Sequence, residues 1–129
     1  MEIGIKGTAQ TAVDHTNTAK FAGSGELEVF ATPCMIALME QAAAALVQPY
    51  LEDGQGTVGT SISVTHEAAT PVGMSVRAEA VLVEQDRRRL CFEVAAFDDC
   101  GLIGRGRHER FIIQNDKFLA KANARGAAL

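Results

Sequence analysis

The sequence predicts an α+β fold in which a curved antiparallel sheet wraps around one long buried helix. Three observations carry this. Between Pro33 and Val47 only Glu40 and Gln41 are strongly polar, so a helix there is apolar almost all round and belongs in an interior. From Val58 onward the hydrophobic period changes to two and keeps that value through four segments. Short turns join those segments, which makes neighbouring strands antiparallel.

In chain order, Ile3 to Val13 alternate loosely and form a first strand. Thr16 to Glu28, with Asn17, Gly23, Ser24 and Gly25, reads as a loop with room for a short helical turn. Thr32-Pro33 opens the central helix: a Thr hydroxyl caps orphan amides, and Pro at the first helical position loses nothing. The helix should run to about Tyr50, with Pro49 distorting its last turn. At roughly 15 residues it is too short to span a bilayer. Ala42 to Ala45 offer little side-chain bulk, so neighbouring backbone can pack closely there.

Glu52 to Gly56 make a turn. Val58, Thr60, Ile62, Val64, His66 and Ala68 then fall on one strand face, and Gly59, Ser61, Ser63, Thr65 and Glu67 on the other. His66 thus lies on an apolar face. Pro71-Val72-Gly73 turns the chain, and Val76, Ala78, Ala80 and Leu82 mark a third strand. Glu84 to Arg89 form a hairpin connection, Leu90, Phe92, Val94 and Ala96 a fourth strand, and Asp98 to Gly101 another turn. A last strand runs from Leu102 to about Ile113. Asn115 then caps a short helix through Phe118 and Leu119, with a frayed tail beyond Ala122.

One strand, a buried helix and a four-stranded meander have one economical solution: the sheet curls around the helix. This is the hot-dog architecture. Gly104 and Gly106 share a face of the last strand with His108 and permit curvature or close backbone approach. A free edge strand should pair with a second subunit, so at least a dimer is expected.

The chain has 129 residues, enough for a single domain spanning 1–129. It is 47% hydrophobic and 22% charged, without low-complexity tracts. No segment is long enough for a membrane span, and the N-terminus lacks a signal-peptide pattern. Cys34, Cys91 and Cys100 make an odd count without paired spacing, which favours a reducing compartment, by default the cytoplasm. Net charge is −4, unevenly spread. Residues through Asp86 hold 3 basic and 11 acidic groups (−8), and the remainder 9 basic and 5 acidic (+4). The basic half is either an ordinary solvated surface or a rim for a phosphorylated small ligand. Nucleic acid fits poorly, because the chain is acidic and its basic residues carry few interleaved aromatics.

A carboxylate within an apolar helix is expensive unless something uses it, which singles out Glu40. Glu40 can act as base or nucleophile, strengthened as a base by apolar surroundings. His66 can move protons near neutral pH, though a lone histidine on an apolar face is more often a hydrogen-bonded core residue. Thr32, most simply a cap, can also supply a hydrogen bond beside the positive helix end. Cys34 in the first helical turn could pair with His66 as a thiolate, but a small packed residue is the simpler reading. His108 is a second proton shuttle or a support for the last strand. Gly101, Gly104 and Gly106 have the wrong spacing for a nucleotide loop.

The segments Val29-Phe30-Ala31-Thr32, Leu38-Met39-Glu40, Val58-Gly59-Thr60, Val64-Thr65-His66-Glu67-Ala68-Ala69-Thr70-Pro71 and Gly104-Arg105-Gly106-Arg107-His108-Glu109-Arg110 resemble the fluoroacetyl-CoA thioesterase group, over about residues 29 to 118. The resemblance implies a catalytic set at Thr32, Glu40 and His66, with Gly59 near the acyl group and Phe30 in contact with substrate. It also implies acyl-CoA substrates, no metal and no other cofactor. Arg105 and Arg107 are candidates for the CoA phosphates, as are Arg87, Arg88, Arg89 and Arg110. The family's aromatic lid is replaced by Phe21-Ala22-Gly23-Ser24-Gly25-Glu26-Leu27-Glu28, a glycine-containing approach that suits bulkier acyl groups.

The expected function is therefore hydrolysis of a small or medium acyl-CoA to free acid and CoA. The alternatives are a non-catalytic acyl-CoA-binding module and a hot-dog enoyl-CoA hydratase using the same Glu40 and His66. Thr32 and Glu40 lie eight residues apart, about 12 Å along a helix. That gap suggests a homodimer whose sites draw on both chains.

Overall fold

The computed structural model describes residues 1–129. Strand β1 (Lys6–Ala12) leads to a 3-10 turn at His15–Asn17, a four-residue helix α1 (Ala19–Ala22) and the central helix α2 (Thr32–Val47). Strands β2 (Gln55–His66), β3 (Ser75–Asp86), β4 (Arg89–Asp98) and β5 (Gly101–Gln114) follow, and helix α3 (Asn115–Ala127) ends the chain. As expected from Pro49, the helix stops at Val47 and tightens into a 3-10 turn at Gln48–Tyr50. No helix is long and apolar enough to cross a membrane.

The five strands form one antiparallel sheet in the order β1-β3-β4-β5-β2. Strands β3, β4 and β5 are the meander read from the sequence, but β2 is not part of it. It pairs with β5 rather than β3. The reason lies in residues 67–74, which are a connector and not a tight hairpin: Phe30 N–H donates to the Thr70 carbonyl, and Val29 bridges Pro71. That route carries the chain across the end of α2 and leaves β2 as an edge strand.

Alternate residues of β3 (Val76, Ala78, Ala80, Leu82) and β4 (Leu90, Phe92, Val94, Ala96) face α2 and close the core with Met35, Leu38, Met39, Ala42, Ala43 and Val47. Each large side chain so buried contributes roughly 1.5–3 kcal/mol. The helix is less enclosed than its composition suggested. Pro33, Ala37, Gln41 and Ala45, four residues apart, form an exposed stripe. Helix α3 is longer than expected, and Asn115 lies inside it rather than capping it; its backbone N–H donates to the Gly54 carbonyl.

Strand β2 also departs from simple alternation. A bulge between Gly59 and Ser61 shifts its register on β5, so residues before and after it change phase. Thr57 and Gly59 point to the helix side, as do Ile62, Val64 and His66, whereas Val58 and Thr60 do not share that face.

Two glycines of β5 admit close approach, as their shared face implied. A Cβ at Gly104 would strike the Thr65 carbonyl and Met35 of α2, and one at Gly106 would strike the Ser63 carbonyl and the Val64 backbone. Gly106→Ala is expected to lower stability by about 1–3 kcal/mol, the scale of overpacking. Gly126→Ala, whose Cβ meets nothing within 4 Å, should not lower it. Urea midpoints of the two variants check this, and equal midpoints would contradict it.

Candidate active site

The expected catalytic residues, with Phe30 and Gly59, fall into two clusters on a single chain. The first lies where α2 begins. The N-cap is Ala31 and carries no side-chain cap bond, so Thr32 is not the cap that the sequence suggested. Its hydroxyl instead lies 2.7 Å from His66 Nδ1 at the end of β2. With the hydroxyl donating, the imidazole is set to take the same proton, the geometry of a nucleophile and its base. His66 Nε2 is buried without a hydrogen-bond partner. Burial pushes the His66 pKa down from its ordinary value, so the ring is neutral and able to accept. A cleft of about 240 Å³ opens here, with Val29, Phe30, Thr32, His66 and Ala69 among its walls. Cys34 is partly buried against the core, and His66 bonds Thr32 rather than this thiol.

The second cluster lies two turns further along α2. The Glu40 side chain is 40% exposed, so it is not the enclosed carboxylate that an all-round apolar helix implied. Nor are its surroundings apolar. Arg110 Nη1 donates to Glu40 Oε2 at 3.1 Å, and His108 Nε2 lies 3.9 Å from the same oxygen. Arg110 is itself held by Thr57, donating from Nε to Oγ1 at 2.8 Å and from Nη2 to the carbonyl at 3.0 Å. Gly59 makes room for this. A Cβ there would lie 2.5 Å from Glu40 Oε2 and 3.4 Å from Arg110 Nη1. A second cleft, of about 260 Å³, is lined by Glu40, Gly59, Thr60, Ser61, Ile62 and His108. It shares no lining residue with the first.

The sequence reading grouped Arg110 with arginines that could hold phosphate, whereas the structure commits it to Glu40. Its position two residues after His108 on one strand face was the available signal. Arg105 and Arg107 lie on the outward face of β5, in a broad depression that Glu67, Glu79 and Glu93 also line. Arg105 pairs with Glu67 at 3.3 Å, and Glu67 also borders the Thr32 cleft. Arg89 bridges Glu84 and Glu109. Much of the basic half is therefore neutralised on the solvated face.

Comparison with known proteins places this geometry in context. The family model described as fluoroacetyl-CoA-specific thioesterase matches residues 13–116. A fluoroacetyl-CoA thioesterase of Streptantibioticus cattleyicolor is 48% identical over 101 residues, covering 78% of this chain and 73% of that protein. A solved structure of the fluoroacetyl-CoA thioesterase FlK superposes with a TM-score of 0.91 at 40% identity, covering 96% of each chain. A Thermus thermophilus protein described as a thioesterase superfamily member gives 0.89 at 30% identity, over 99% of this chain and 97% of that one.

Both cluster histidines have pKa values pushed below the ordinary 6.5, chiefly by burial. The unfolded chain then binds protons more readily than the folded one as pH falls through 6.5. The contribution to stability is complete above that value and declines below it. Urea midpoints should therefore drop between about pH 7 and about pH 5, and replacing both histidines by Gln should flatten the slope. A midpoint that rises with acidification would contradict the assignment.

Proposed function

The chain belongs to the fluoroacetyl-CoA-specific thioesterase family, and on that premise we propose that it hydrolyses acyl-CoA thioesters at sites shared between two subunits. The observation that carries this reading is the division of the site. One chain holds Thr32 with His66, and Glu40 with Gly59, in two separate half-clefts. Thr32 and Glu40 are about 12 Å apart along α2, too far for one side-chain pair to close. Both halves include residues of β2, whose outer edge is free. Antiparallel pairing of that edge with its two-fold mate turns the His66 end of one strand toward the Gly59 end of the other. The exposed stripe on α2, Pro33, Ala37, Gln41 and Ala45, would lie against its counterpart in the same dimer.

In the composite site the Thr32 hydroxyl attacks the thioester carbonyl carbon and its proton passes to His66 Nδ1. The carbonyl electrons move onto oxygen, and collapse of the tetrahedral intermediate breaks the C–S bond. CoA leaves as the thiol, taking the proton back from His66. A water deprotonated by Glu40 of the partner subunit then attacks the threonine ester carbonyl; the C–O bond to Thr32 breaks, the proton held by Glu40 passes to the threonine oxygen, and the free acid leaves with hydroxyl and carboxylate both restored. Phe30 in the cleft wall supports a role in acyl contact. Arg105, which would exchange Glu67 for phosphate, and Arg107 are cations that the outward face of β5 offers to the CoA phosphates. The three free cysteines fit a cytoplasmic enzyme.

Thr32→Ala and Glu40→Gln should each lower turnover by about a hundredfold or more. Co-expressed, they should recover about a quarter of wild-type activity, because half the dimers are mixed and each mixed dimer has one intact site of two. A mixture no better than either variant alone would show that the sites are not shared.

Specificity rests on the wall before Phe30. Gly23 adopts a left-handed conformation that ends α1 (φ 75°), and residues 23–28 are all exposed, with Leu27 at 69%. No aromatic side chain lies between Gly23 and Glu28 to close the cleft. Excluding water around a single fluorine demands closure. The enzyme should therefore prefer fluoroacetyl-CoA over acetyl-CoA by less than about a thousandfold in kcat/KM, or ~4 kcal/mol. It should turn over butyryl-CoA or an aromatic acyl-CoA better than either. Measured kcat/KM values under one buffer condition decide it, and a larger fluorine preference would overturn this reading of the wall.

A further inference from the structure

We propose that His108 is a positioning residue which, as the neutral imidazole protonated on Nδ1, sets Arg110 and through it the Glu40 carboxylate. The inference rests on the thioesterase reading only for its kinetic consequence; the geometry stands by itself. His108 Nδ1 lies 2.8 Å from the Ser61 carbonyl oxygen. A carbonyl can only accept, so Nδ1 carries the proton. In the neutral ring Nε2 then presents a lone pair, and Arg110 Nη1 donates to it at 3.2 Å.

The two Nη1 hydrogens are thereby divided, one to His108 and one to Glu40 Oε2 at 3.1 Å. With Nε and one Nη2 hydrogen on Thr57, four of the roughly five guanidinium N–H groups have a partner and the fork cannot rotate. His108 is 1% exposed, and its ring stacks on Phe92 of β4 with centroids 6.0 Å apart. It borders the same cleft as Glu40 but leaves almost none of its ring open to it. Its action is on the orientation of the carboxylate.

The arrangement works in one protonation state. A proton on Nε2 would replace the acceptor facing Arg110 by a donor and set a second cation against the guanidinium. That N–H would also face Glu40, 3.9 Å away, and compete for the oxygen that must take a proton from water. The groups facing His108 are Arg110 on its own strand, Glu40 from α2, the Ser61 carbonyl from β2 and the uncharged Phe92 from β4; Glu109 projects to the other side of β5. Burial keeps the ring below its ordinary pKa, and the Arg110 charge acts in the same direction against Ser61, Glu40 and the more remote charge of Glu109.

Nitrogen NMR of wild-type protein with labelled histidine, without substrate, tests the tautomer. His108 should be neutral and protonated on Nδ1 at neutral pH. A ring protonated on Nε2, or doubly protonated, would overturn the proposal while leaving the thioesterase reading intact. Kinetics test the role. His108→Leu should lower kcat about tenfold to a hundredfold with a smaller change in KM, as expected for a misplaced catalytic group. His108→Gln, which can return an acceptor to Arg110 but cannot titrate, should recover at least about tenfold over Leu. A Gln variant no better than Leu would refute positioning by the neutral ring. Absence of turnover in the wild-type enzyme would refute the thioesterase reading and not the tautomer.

Discussion

A guanidinium on β5 that reaches a half-exposed helix carboxylate fixes how the Glu40 half of the site is assembled. Glu40 is the one acid on a helix that otherwise brings Met, Leu, Ala and Val to the core. Such a group needs a cation within hydrogen-bonding reach. Arg110 brings it from β5 with only 9% of its side chain exposed. The pair dictates its neighbours: Gly59 must lack a Cβ, Thr57 must face inward, and His108 must share a strand face with Arg110. Removing one charge from a fully buried pair costs about 3–5 kcal/mol. The partial exposure of Glu40 puts this pair below that range while leaving Arg110 the more dependent member.

The two halves of the site are built differently. Glu40 stands within a web of hydrogen bonds tied to three secondary-structure elements, α2, β2 and β5. Thr32 and His66 share one hydrogen bond, beside a wall made of a four-residue helix and an exposed loop. The rigid half suits a group whose orientation must not vary as substrates change. On the function proposed above, the sparer half would suit acyl groups of differing bulk, because the wall contributes little packing that a larger substrate would have to displace.

Much of this was readable from the residues. The apolar run after Thr32-Pro33 and the period-two segments named the helix, the strands and the curled sheet, because burial leaves its mark on local pattern. Sheet order was not readable for β2, because the choice between β3 and β5 as neighbour depends on where residues 67–74 cross. The pairing of Thr32 with His66 and the partner of Glu40 are contacts over 34 and 70 residues, and no local spacing reports them. Arg110 was visible only as one basic residue among several, since a strand face tells which side a residue takes and not what it will meet. The bulge was hidden for a similar reason: Val58 and Ile62 are both apolar and fit one uninterrupted face as well as two.

That extra residue between Gly59 and Ser61 acts as a phase shifter. It lets a strand serve a carboxylate at one end and a hydroxyl at the other from the same side, which regular pleating would forbid for positions 59 and 66, an odd number apart. What evolution must preserve here is a length rather than a letter. Losing one residue between Gly59 and Ile62 would turn either the glycine or the histidine outward with every site residue still in the text.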